Sequence, residues 1–103
     1  MAGDIKKVYI CSPLFGNIEE NIKKAKEHCR EVSLKGFLPI ASHIYFTQFL
    51  DDNNLEERKI GMDMGLELLK LCDEVWVFGD RISEGMKKEI EFAEKLNIKI
   101  IKI

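Results

Sequence analysis

Glu89 is the residue whose placement most demands a chemical explanation. Counted along a helix at about 100° per residue, Met86, Phe92, Ala93 and Leu96 fall on its side, at i−3, i+3, i+4 and i+7. Lys87, Lys88, Glu91, Glu94 and Lys95 take the other side. A carboxylate in an apolar stripe is costly unless it is paired or used. It also stands about one turn inside its helix, where the dipole favours the ionised form that a nucleophile needs. Two readings stay open: a working carboxylate, or a buried partner for Arg58 or for a backbone amide.

Other residues could share that site. Ser83 and Gly85 open the same helix and, with Met86 behind them, make either an anion cradle or a plain N-cap. The loop Ser12-Pro13-Leu14-Phe15-Gly16-Asn17 holds a phosphate or sugar, or only turns the chain. Tyr9 alternates with Val8 and Ile10 as a core residue would, with a hydroxyl that reaches for a carboxylate at the sheet edge. His43 follows a second strand directly and points toward the same crevice, whereas His28 sits in the polar part of a helix and reads as solvated. Gly61 and Gly65 recur four apart beside an apolar face, so a helix, a partner subunit or a ligand approaches there. Arg58 shares that side; Asp63 groups with Lys59, Glu67 and Lys70 on the polar one. Cys11, Cys29 and Cys72 form no C-x-x-C pair and read as reduced, mostly buried thiols, so no metal is expected.

The elements that position these residues follow from periodicity and punctuation. Val8 to Cys11 is a strand, and Asn17, with Glu20 three places on, starts a helix over Ile18 to Val32 that stops at Gly36. Phe37 to Ala41 is a second strand, and Ser42 to Asn54 is a long loop with about one helical turn. A helix over Leu55 to Leu71, a strand over Val75 to Phe78, a helix over Ser83 to Leu96 and a strand over Lys99 to Ile103 complete the chain. The order predicts an α/β, flavodoxin-like three-layer sandwich: a four-stranded parallel sheet with helices on both faces. Ligands in such sheets bind outside the carboxyl ends of the strands, which selects the loops Ser12 to Asn17, Ser42 to Asn54 and Gly79 to Gly85.

A chain of 103 residues is one domain, 1–103, with 46% hydrophobic and 33% charged residues as in ordinary globular proteins. A net charge of -2 argues against gripping nucleic-acid backbone. No apolar run approaches the roughly 20 residues of a membrane span, and Met1 to Lys7 lacks a signal peptide's apolar stretch, so a cytoplasmic protein is expected. A receiver domain would want an acidic pair where Cys11-Ser12 stands, and a flavodoxin a loop richer in hydroxyls than Ser12 to Asn17.

Four blocks resemble the nucleoside 2-deoxyribosyltransferase superfamily, including the 2'-deoxynucleoside 5'-phosphate N-hydrolases, and most of all a branch of short bacterial and phage proteins. They are V-Y-I-C-S-P (Val8 to Pro13), P-I-A-S-H (Pro39 to His43), L-L-K-L-C-D-E-V-W-V-F-G (Leu68 to Gly79) and S-E-G-M-K-K-E-I-E-F-A (Ser83 to Ala93). The resemblance implies N-glycosidic chemistry without a cofactor. Glu89 is the catalytic nucleophile, Tyr9 positions it, and Ser83 contacts a 5'-phosphate, favouring a nucleotide over a free nucleoside. Ser12, Phe15, Gly16, His43, Asp80, Ser83, Gly85 and Met86 are the substrate-binding candidates. The resemblance fails at one point: the family has an acid eight residues before the residue matching Asp73, and that position is Gly65 here. Asp80 and His43 are left as substitutes, between which the pattern does not choose. The alternative is a nucleotide-binding or sensing protein without catalysis. A homodimer or higher homo-oligomer is expected, since relatives build sites between subunits and Gly61 and Gly65 suit close helix contact.

Overall fold

Four of the five residues of the first strand, Val8, Tyr9, Ile10 and Cys11, are wholly buried, which is possible only for a strand covered on both faces. The computed structural model describes residues 4–103; residues 1–3, part of the stretch read above for a leader, lie outside it. The elements run β1 (Lys7–Cys11), α1 (Ile18–Leu34), β2 (Leu38–Ile40), α2 (Ser42–Phe46), α3 (Leu55–Lys70), β3 (Glu74–Val77), α4 (Glu84–Lys95) and β4 (Lys99–Lys102). All strand pairs are parallel, in the order β2-β1-β3-β4. Pro39 has no N–H to give a ladder, and it sits in β2, at the sheet edge.

The alternation of β1 sorts the core into two layers. Val8 and Ile10 pack with Val32 of α1, Trp76 and Phe78 on one face. Tyr9 and Cys11 pack with Leu69 of α3, Val75, Val77, and Met86 and Ala93 of α4 on the other. Each fully buried side chain of this size is worth about 1.5–3 kcal/mol relative to exposure. The expected α/β sandwich is therefore present, with α1 on one face and α3 and α4 on the other. From β1 the chain crosses over one face to β2, and from β3 over the other face to β4, so the crevice opens at the carboxyl ends of these two adjacent strands.

Two local differences matter. The segment read mainly as a loop, Ser42 to Asn54, begins with a five-residue helix, α2, followed by turns. Tyr45, Phe46 and Phe49 hold it together in edge-to-face contacts at 5.1 to 5.9 Å, a short-range aromatic cluster that periodicity does not reveal. His28 is not simply solvated: its ring stacks on Phe78 at 4.0 Å and is half-buried. Among the described residues, no helix is long and apolar enough to cross a membrane.

Candidate active site

The crevice at the carboxyl edge is a cleft of about 650 Å³, counting its open mouth, between the loop after β1, α2, α3 and the first turns of α4. Ser12, Phe15, His43, Ser83, Gly85, Met86 and Glu89 line it, so seven of the expected residues converge there. Tyr9 lies beneath it, wholly buried, and donates its hydroxyl hydrogen to the Glu89 carboxylate. The Ser42 hydroxyl stands 2.7 Å from the Tyr9 oxygen. With the Tyr9 proton committed to Glu89, Ser42 is the donor of that second bond. Ser42, Tyr9 and Glu89 thus form one chain of hydrogen bonds leading to the floor of the cleft.

The partner of Glu89 is Tyr9 and not Arg58, which was one of the two structural readings. Burial pushes the Glu89 carboxyl up to about 7, against the pull of the Tyr9 hydroxyl and then the Cys11 thiol toward ionisation. The expected help from the helix dipole is therefore outweighed, because Glu89 lies beyond the first turn of α4, where that field is strongest. The Cys11 thiol stays protonated, raised by burial and then by Glu89, and lies 3.9 Å from the Met86 carbonyl. Replacing Tyr9 with phenylalanine removes a donor from Glu89 and orphans Ser42. The expected result is a Glu89 pKa above that of the wild type and a loss of about 1–3 kcal/mol of stability. Carboxyl-carbon NMR titration and urea unfolding measure the two.

Ser83 is the N-cap of α4: its oxygen accepts from the Met86 N–H at 3.3 Å, while the Met86 sulfur faces the Ser83 N–H at 3.5 Å. The capping role does not exclude a ligand role, since the hydroxyl keeps a proton to give. Met86 is itself core, with its cleft contribution made from below. His43 Nε2 lies 3.3 Å from the Ser12 hydroxyl, and burial, then the charge of His28, lowers its pKa to about 4. His43 is therefore a neutral hydrogen-bonding group at pH 7 and no proton donor of the imidazolium kind.

Two expected residues are not in this cleft. Asp80 lines a second depression on the α1 side, with Asn21, Lys24, His28 and Arg81, because the chain leaves β3 at Gly79 toward that face. It lies outside the cleft that holds Glu89, in a depression that shares Ser12 with it. Gly16 is exposed and outside the lining, and its φ of 109° turns the chain into the Asn17 cap. The α3 glycines are met by residues of their own chain. A Cβ at Gly65 would stand 3.1 Å from the Ser42 hydroxyl and 3.4 Å from that of Tyr9; at Gly61 the neighbour is Leu50, at 3.6 Å. The close approach expected at Gly65 is thus made by Ser42 and Tyr9 of the same chain, while Gly61 stays half-buried.

Sequence reasoning missed Ser42 and Asp52, and it placed Arg58 on the side of the α3 glycines without assigning it to the site. The Arg58 guanidinium lies 3.5 Å from the centre of the Phe15 ring, a cation–π contact across the cleft wall. The signal for Ser42 was present in Gly65, which announced a close approach without saying by what. Among the described residues, no group of three or more His, Cys, Asp or Glu side chains could hold a metal ion.

A family model described as a domain of unknown function (DUF7768) matches residues 6–103. No curated protein matches the sequence. Among solved structures, the chain is similar to a 2-deoxyribosyltransferase from the psychrotolerant bacterium Bacillus psychrosaccharolyticus, described as a biocatalyst for nucleoside synthesis. The TM-score is 0.73 at 19% identity, over 93% of this chain and 70% of that one. It is also similar to a 2-desoxiribosyltransferase from Leishmania mexicana, with a TM-score of 0.62 at 16% identity, over 95% of this chain and 63% of that one. At these identities the likeness establishes a shared fold.

Proposed function

The chain belongs to the DUF7768 family, and from that premise we propose that it cleaves or exchanges the N-glycosidic bond of a nucleotide or nucleoside, with Glu89 as nucleophile. The observation that carries this reading is the Glu89 carboxylate held by the buried Tyr9 hydroxyl at the floor of the cleft. A carboxylate oxygen so placed forms a bond to the anomeric carbon as the bond to the base nitrogen breaks, leaving a glycosyl ester on Glu89. Water then releases the sugar, or a second base takes it. With a pKa of about 7, Glu89 is ionised in a useful fraction near neutrality. Ser83 and the first turn of α4 offer donors to a phosphate, and Phe15, stacked on one side by Arg58, lines the cleft near them. The two solved neighbours act, by their names, as 2-deoxyribosyltransferases, which supports the same bond type here. The whole activity is read as residing in one domain.

One observation favours a second reading, a nucleotide-binding protein without turnover: Ser42 occupies the space that an acid at position 65 would need. A chromatographic screen of the purified protein against deoxynucleoside monophosphates, ribonucleotides and nucleosides separates the two. Free base released by the wild type and not by Glu89→Ala supports the glycosidase. Thermal stabilisation by a nucleotide with no base released from any of them supports the binding protein and sinks the enzyme.

A further inference from the structure

An N-glycosidic bond breaks readily only if the departing base does not have to leave as an anion, so something must protonate it. The side chains lining the cleft limit the choice. Arg58 does not give up a proton in water, and an exposed ammonium such as that of Lys88 is a far weaker acid than a carboxyl group. His43 is unprotonated well above pH 4. Glu89 is the nucleophile. The lining holds one other carboxyl group, that of Asp52.

The turn that carries Asp52 is built so that this side chain is left over. Asp51 Oδ1 accepts from the Asn53 N–H at 2.9 Å, and Glu57 Oε1 accepts from the Asp51 N–H at 3.1 Å. Asn54 caps α3 through the Glu56 and Glu57 N–H groups at 3.0 and 3.1 Å. Asp52 enters none of these bonds, and among residues 51 to 54 it alone is half-buried while the others are exposed. We propose that Asp52 is the general acid of this site, protonating the leaving base from the α2–α3 turn in place of the acid absent at Gly65. This assignment rests on the glycosidase reading above.

The steps balance. As Glu89 bonds to the anomeric carbon, the electron pair of the broken bond stays with the base, which takes the Asp52 proton. Water then attacks the same carbon, its proton passes to the Asp52 carboxylate, and the Glu89 ester bond breaks. Both groups return to their starting states, with free sugar and free base as products. The electrostatics suit the role: burial raises the Asp52 pKa, with Arg58 pulling it back down and Asp51 adding a smaller push up. Arg58 would stabilise the carboxylate that remains after transfer.

The test compares Asp52→Asn with wild type on the deoxynucleotide found by the screen and on the same nucleotide with an activated base. A purine is used as its N7-methyl derivative, which departs neutral without a proton; a pyrimidine is used as its 5-fluoro derivative. The expected result is a loss of about 10²–10⁴-fold on the ordinary nucleotide and a clearly smaller loss on the activated one. Retained turnover of the activated substrate also shows that the variant is folded. Equal losses on both substrates, or no loss on either, would overturn the assignment. Turnover of neither by wild type removes the glycosidase reading itself, and turnover surviving in Glu89→Ala removes the nucleophile; in both cases Asp52 falls with it.

Discussion

Replacing Glu89 with glutamine is expected to lower base release at least about a thousandfold, the scale of removing a nucleophile, while making the folded protein more stable at alkaline pH. The two effects share one cause. Glu89 has a folded-state pKa of about 7 against an ordinary value of 4.5, so between these values the folded state binds more protons than the unfolded one. Stability from this group is fully present below about pH 4.5 and is lost as pH rises through 7, amounting to about 3 kcal/mol. Glutamine, neutral at every pH and still able to accept from Tyr9, removes that slope. His43 acts in the opposite sense: its pKa of about 4 in the fold makes stability rise with pH between 4 and 6.5. The quantity to follow is therefore the difference between wild type and Glu89→Gln, by urea unfolding at pH 5 and pH 8. The variant should gain at pH 8 and match wild type near pH 4.5. An equal difference at both values would mean that the half-buried Glu89 is not held at a raised pKa.

The second large effect is expected from Gly65→Asp, the substitution that restores the acid the resemblance leads one to expect. Its Cβ would stand 3.1 Å from the Ser42 hydroxyl, tighter than ordinary contact, and its carboxylate would come up against the buried Ser42–Tyr9 pair and the half-buried Glu89. Two carboxylates in one desolvated site cannot both ionise cheaply. A loss of about 2–4 kcal/mol follows, or roughly 10–20 °C in Tm for a domain of this size, with no gain in base release. Gly65→Ala separates the causes, because it adds about 1 kcal/mol of helix propensity against the same steric contact without the charge. A Gly65→Asp protein as stable as wild type and more active would show that Ser42 gives way, and would return the general acid to α3 from Asp52.

The layout was legible in the sequence because it depends on local periodicity. The alternation of Val8 to Cys11, the apolar stripe around Glu89 and the caps at Asn17 and Ser83 are each carried by residues a few places apart. They were enough for the four-stranded parallel sheet, for the sandwich that neighbours with TM-scores of 0.73 and 0.62 share, and for the edge at which the cleft opens. The alternation of β1 gives Tyr9 a hydroxyl within reach of a carboxylate at the sheet edge, and the resemblance is what pairs it with Glu89; that bond joins β1 to α4, the helix after β3.

What only the tertiary structure decided are matters of which element fills which space. Gly65 declared a gap, but the occupant, Ser42, lies 23 positions earlier, and nothing local connects the two. Asp80 and Asp52 both follow secondary elements near the sheet edge, yet the first turns to the α1 face and the second into the cleft. That choice is made by the path of the backbone after Gly79 and by the turn that Asp51, Asn54 and Glu57 close. The ionisation of Glu89 likewise depends on how deeply three dimensions bury it. One-dimensional spacing identifies the carboxylate, and packing sets its pKa.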